Sequence, residues 1–199
     1  MRVVICTPVH GETKAKFTQC LFRVGVATFP QAEVDCFIHS ASNVGYCRRI
    51  LAQEALLAGA DYILWADADQ TFPPNALARL LAAQKPIIGC NIRRRNPTEV
   101  MPTAFDLNGQ PLAAKREGVE EVLQLGLGLC LTHTSVFKAI EPPYFAEEIQ
   151  PNGMDVLGED IYFFRKARAA GFAAFVDHGL SLEVGHIAET ELKFPPPSS

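Results

Sequence analysis

The chain has 199 residues, 48% of them hydrophobic and 20% charged, enough apolar material for one sizeable core and too little polar bias for a disordered segment. A net charge of −4 and a pI near 5.7 exclude a chain whose main task is coating nucleic acid or an anionic membrane, and no specific nucleic-acid binding is evident. No apolar run approaches the roughly 20 residues that span a bilayer and no export signal is visible; the six cysteines, never in Cys-x-x-Cys, then read as reduced, mostly buried thiols of a cytoplasmic protein.

In chain order, residues 2–6 read as a first strand stopped by Thr7-Pro8, and 34–38 as a second. Between them Phe17, Leu21 and Val24, spaced by four and three, predict a helix over 14–27 with one apolar face. A second helix over 44–58 carries Ile50, Leu51, Ala55 and Leu57, and Gly59 is placed to end it. The run Tyr62-Ile63-Leu64-Trp65-Ala66 suits a strand buried on both faces. Pro73-Pro74 introduces a short helix over 75–83, and 86–90 supplies another buried strand.

Beyond Asn91 the pattern changes. Arg93-Arg94-Arg95-Asn96-Pro97 and Asn108-Gly109-Gln110-Pro111 mark a loop and a turn. Strands are expected over 119–123 and 127–132, a mobile loop suited to a lid over 147–154, a helix over 159–170 closed by Gly171, and final strands over 172–176 and 180–184. Alternation of strands and helices gives an α/β domain over 1–192 with a mostly parallel central sheet flanked by helices and a small antiparallel C-terminal portion. Residues 193–199 read as a disordered Pro/Ser tail.

Asp67 and Asp69 follow a buried strand, at the edge where open α/β sheets bind ligands. In extended backbone both carboxylates face one side, and their repulsion is relieved most simply by a hard cation such as Mg²⁺ or Mn²⁺. Taken alone, the motif reads at least as well as a turn in which Asp69 caps the chain entering the next helix. Glu159-Asp160 open a helix whose N-terminus stabilises acidic side chains and keeps them ionised. Simple helix capping accounts for one of the two. Arg48 reads equally as a solvated helix charge, and a basic run such as Arg93-Arg94-Arg95 is usually a solvated face, although it could clamp a diphosphate.

Three blocks, taken together and in order, resemble GT-A glycosyltransferases of the family 2 kind, within the nucleotide-diphospho-sugar transferases. They are Arg48 through Ala66-Asp67-Ala68-Asp69, the run Gly126-Leu127-Gly128-Leu129-Cys130-Leu131, and Gly158-Glu159-Asp160 with Val184-Gly185-His186-Ile187. The resemblance implies a GT-A, Rossmann-like fold and transfer of a sugar from a nucleoside-diphosphate-sugar donor to an acceptor hydroxyl, with Mn²⁺ or Mg²⁺ bound. It implies that Asp69 ligates the metal, that Asp67 contacts metal or ribose, and that His186 completes the metal site, with His178 as the fallback ligand. Thr7 and Pro8 would border the nucleobase, and Arg48 would reach base or phosphates. Asp160 is then the candidate general base, with Glu159 helping to hold the acceptor, while His10 and Gly11 stand near the donor. The short chain leaves room for a partner or a second subunit, as in a homo-oligomer, to help hold the acceptor.

Two other readings remain. A nucleotidyltransferase also sets acids at strand ends, but the loop Thr7-Pro8-Val9-His10-Gly11-Glu12-Thr13 has one glycine and no arginine. A non-catalytic nucleotide-sugar or carbohydrate-binding module would keep the fold without turnover.

Overall fold

A computed structural model of the chain describes residues 1–95, 99–188 and, as backbone, 191–192. The expected tail over 193–199 lies outside the described residues. The first half runs β1 (Arg2–Val9), α1 (Ala15–Thr28), β2 (Glu33–Ser40), α2 (Val44–Leu57), β3 (Tyr62–Ala66), β4 (Gln70–Thr71), α3 (Ala76–Ala82) and β5 (Ile87–Gly89). The second half adds β6 (Val119–Val122), β7 (Leu129–His133), α4 (Ser135–Ala139), β8 (Glu148–Ile149), β9 (Val156–Leu157) and α5 (Glu159–Ala169). It closes with β10 (Ala174–Asp177), α6 (His178–Ser181), β11 (Gly185–Ile187) and β12 (Glu191–Leu192).

Seven strands form one sheet in the order β2-β1-β3-β7-β5-β10-β6. β2, β1, β3, β5 and β10 point one way, while β7 and β6 run antiparallel to their neighbours. Period-two alternation sends Val4, Cys6, Ile63 and Trp65 to one face, under α2, α4 and α5, and Val3, Ile5, Leu64 and Ala66 to the other, under α1 and α3. Both faces are buried, as the continuous apolar runs of β1 and β3 require.

The helix ends are set locally. Asn43 caps α2 by accepting from the Tyr46 N–H at 2.7 Å. Gly59 and Gly171, at φ of 75° and 87°, end α2 and α5 in the left-handed conformation glycine tolerates. Four cysteines are buried, all six are free thiols, and burial pushes the Cys130 thiol up to about 12. No helix among the described residues is long and apolar enough to cross a membrane.

Four expectations are corrected. β1 does not stop at Thr7-Pro8. Its pairing with β3 ends at Cys6↔Trp65, whereas its pairing with β2 continues to Val9↔Ser40. The Val9 carbonyl accepts from Ala41 on the β2 side, so the N–H that Pro8 lacks faces the side β3 has left. Residues 180–184 are not a strand: the Asp177 carboxylate accepts from the Leu180 N–H at 2.8 Å and starts α6 instead. The segment over 147–154 is not a plain loop, because β8 and β9 pair as a hairpin that contains most of it, and Arg165 donates to both oxygens of Glu148 at 2.7 Å. Finally, Asp67-Ala68-Asp69 is a tight turn rather than extended chain, closed by the Gln70 N–H on the Asp67 carbonyl at 3.0 Å.

Candidate functional site

The Asp67-Ala68-Asp69 turn sits where β3 leaves the sheet, held by the Asp67 N–H on the Gly128 carbonyl at 3.0 Å. Gly128 has no room for a side chain: a Cβ there would lie 2.9 Å from Ile92 and 3.3 Å from the Gln70 amide. The glycine block preceding β7 therefore lets the turn, Gln70 and the start of the basic segment pack together. A cleft of about 560 Å³ opens over the turn, and its wall includes Pro8, Val9, His10, Asp67, Asp69 and Arg95. Thr7 is fully buried and does not line it, and its hydroxyl has no hydrogen-bond partner among the described residues.

His186 reaches the turn through sheet pairing. β4 continues from Asp69 and pairs antiparallel with β11, matching His186 to Gln70, while the Ile187 N–H donates to the Asp69 carbonyl at 2.7 Å. The imidazole Nδ1 lies 3.0 Å from the Arg93 carbonyl, an atom that only accepts, so Nδ1 carries the proton. Nε2 is left with a lone pair, 3.4 Å from Asp69 Oδ2. A carboxylate oxygen and an imidazole lone pair thus converge, the pair of donors that suits a divalent cation.

Arg95 closes this corner. Its Nε donates to His186 Nε2 at 2.9 Å and its Nη2 pairs with Asp69 Oδ2. Burial works to raise the Asp69 pKa, but the Arg95 charge and the Gln70 amide act against it, and the carboxyl lies below the ordinary range. Arg95 arrives on a two-stranded excursion from β5, in which the Arg94 N–H meets the Met101 carbonyl and Arg93 bridges Pro102. Buried Asn91 anchors its base through Leu112, Thr103 and Ala104. Asn96, Pro97 and Thr98 fall outside the described residues.

Arg48 occupies a second corner. Only 3% exposed, it donates to Asp67 Oδ1 at 2.8 Å and to Glu159 Oε1 at 3.3 Å, and its guanidinium lies 5.5 Å from the Trp65 ring centre. Its Nη1 has no partner among the described residues, and the side chain does not line the cleft. Arg48 thus ties the strand end to the start of α5. Gly45 permits the approach, with its Cβ position 3.2 Å from that of Glu159. A cluster of rings fixes α5 from below: Phe163 stacks on Phe145 at 5.1 Å and on Phe137 at 5.4 Å, and Phe145 meets Trp65 edge-on at 5.2 Å.

Asp160 stands beside Glu159 and outside the cleft wall. Helix-terminus stabilisation alone predicts a low pKa. Burial and the Glu159 charge raise it instead, against the Ile161 N–H, Arg48 and Arg94. His178 is far from any such role: it is buried in α6, with Nε2 on Glu120 at 2.8 Å. The structure brings Asp69 and His186 together and ties Asp67 through Arg48 to Glu159, and among the described residues no three His, Cys, Asp or Glu side chains are grouped to hold a metal ion. Sequence reasoning left Arg95 aside. The signal for it was the arginine run following a buried strand, where ligands of α/β sheets bind.

Neither a protein-family model nor a curated protein sequence matches the chain. Among solved structures it is similar to the crystal structure of A197 from STIV, at a TM-score of 0.66 and 17% identity over 94% of this chain and 86% of that one. That likeness establishes a shared α/β fold. A glycosyltransferase involved in the glycosylation of the major capsid of PBCV-1 matches at a TM-score of 0.40 and 8% identity, over 68% of this chain and 62% of that one, too distant to carry an argument.

Proposed function

We propose that the protein is a metal-dependent glycosyltransferase that moves a sugar from a nucleoside-diphosphate-sugar to an acceptor hydroxyl. One observation carries this reading: the Nε2 lone pair of His186 lies 3.4 Å from Oδ2 of Asp69, a residue on the wall of a cleft at the strand ends. Asp69 and His186 would be the residues that hold a divalent cation. Mn²⁺ or Mg²⁺ bound there supplies positive charge against the diphosphate as it leaves. Pro8, Val9 and His10 form the wall beside which the nucleoside lies. Asp67, held by Arg48, keeps its second oxygen for a ribose hydroxyl.

On this reading the bond from the sugar's anomeric carbon to the diphosphate oxygen breaks while a bond to the acceptor oxygen forms, and the acceptor proton passes to Asp160. Burial and the Glu159 charge raise the Asp160 carboxyl above the ordinary range, which makes it a stronger base than an exposed carboxylate. Glu159, paired with Arg48, orients the acceptor.

Calorimetry with a panel of nucleotide-sugars and Mn²⁺ tests the proposal. One donor should bind and be slowly hydrolysed, and Asp69→Ala should abolish the metal-supported part of binding. Unchanged binding in Asp69→Ala overturns the metal assignment, and binding without turnover for any donor and acceptor favours a binding module.

A further inference from the structure

The two atoms that face each other as ligands are already engaged by one side chain. Arg95 pairs with Asp69 Oδ2 through Nη2 and donates to the lone pair of His186 Nε2 through Nε at 2.9 Å. A lone pair that accepts a guanidinium N–H is not available to a metal, and the Asp69 oxygen nearest the imidazole is the one Arg95 holds. The guanidinium itself lines the cleft and is 57% exposed, so it can leave this corner without opening the core.

We propose that Arg95 and a divalent cation are mutually exclusive occupants of the Asp69–His186 corner, and that the arriving cation hands the guanidinium to the donor's diphosphate. The inference rests on the metal reading above. Charge favours the exchange. With Arg95 in place the Asp69 charge is balanced, while Arg48 shares its one charge between Asp67 and Glu159. Once the cation replaces Arg95, the cation and the freed guanidinium together exceed Asp69 by two positive charges, matching a doubly charged diphosphate. Cation and diphosphate therefore bind cooperatively, and a cation alone binds weakly. Arg95 is in this sense a positioning residue that keeps His186 and Asp69 aligned until both components arrive. The fork geometry is needed, because the two contacts use different nitrogens of one planar group.

The test measures Mn²⁺ alone, and the Mn²⁺–pyrophosphate complex, against the full-length protein and its Arg95→Ala, Arg95→Lys and Asp69→Ala variants, by calorimetry and by electron paramagnetic resonance of Mn²⁺. Since Arg95 is a half-exposed partner, its removal should tighten Mn²⁺ alone by about three- to tenfold. It should weaken the pyrophosphate complex by about tenfold, for loss of a charge-assisted contact. Arg95→Lys, which keeps the charge without the fork, should tighten Mn²⁺ while retaining most of the pyrophosphate affinity. A merely structural arginine would not move the two affinities in opposite directions. Equal Mn²⁺ affinity in the parent and Arg95→Ala, with binding abolished in Asp69→Ala, overturns the exchange and leaves the metal reading standing. No Mn²⁺ binding by either the parent or Arg95→Ala overturns both.

Discussion

Replacing Arg48 with methionine keeps the length and apolar stem of the side chain and removes its charge. The guanidinium is 3% exposed and makes two charge-assisted hydrogen bonds, to Asp67 and Glu159, besides lying over Trp65. Such bonds contribute about 1.5–3 kcal/mol each, and removing one partner of a buried ion pair costs about 3–5 kcal/mol. The Asp67 side chain is 30% exposed and regains water, whereas that of Glu159 is 14% exposed and does not, which points to the lower end, about 3 kcal/mol. At roughly 2–4 °C per kcal/mol for a chain of this size, the melting temperature should fall by about 6–12 °C. Urea titration followed by the fluorescence of Trp65, the single tryptophan and fully buried, reads the loss directly. Adding Asp67→Asn and Glu159→Gln removes the stranded charges and should restore at least about 1 kcal/mol. A loss below about 1 kcal/mol in Arg48→Met, or a triple variant no more stable than the single one, would refute the claim that Arg48 joins the strand end to α5.

Two further outcomes follow from the packing and the acid pair. A Cβ added at Gly89 would stand 2.6 Å from the Leu125 side chain and 2.7 Å from the Leu129 carbonyl, so β5 and β7 must separate. Gly89→Ala should cost about 2–3 kcal/mol, seen as a lower urea midpoint with unchanged slope, and a neutral substitution would show that the strands do not approach so closely. Asp160 has its folded-state pKa raised, so the fold binds that proton more tightly than the unfolded chain does. Its ionisation costs stability that is lost as pH rises from the ordinary carboxylate range through the raised value. Asp160→Asn should therefore gain on the parent across that window and hold a constant advantage above it, and melting curves across a pH series that ran parallel would contradict the burial of this carboxyl.

What the sequence disclosed was what neighbours along the chain determine. The 3.6-residue spacing of Phe17, Leu21 and Val24 and the stop at Gly59 are local signals, and α1 and α2 stand where those signals put them. β3 was readable because a strand buried on both faces needs an unbroken apolar run. β4 and β11 were not, because strands of two and three residues carry no periodicity and exist only through each other. Leu180-Ser181-Leu182-Glu183-Val184 alternates as a strand would, and the capping bond from Asp177 overrides that pattern. The site shows the same division. Asp67, Asp69 and His186 are chemically conspicuous residues at element ends. Arg48 read equally as a solvated helix charge and as a contact to the donor, because nothing in a helix pattern tells which polar residue points inward with two carboxylates to meet it. Arg95 lies 26 residues from Asp69 and 91 from His186, so its contacts depend on how the excursion after β5 folds back.

Among the described residues neither buried cluster holds one beyond Val184, yet one half of the Asp69 pair comes in on β11. The described core is thus built before the stretch that carries the histidine. Stability and chemistry are inherited on different lengths of the polypeptide, so a lineage can retune or lose the ligand side of this corner by changes confined to a few late positions, while the layered sheet beneath persists unaltered.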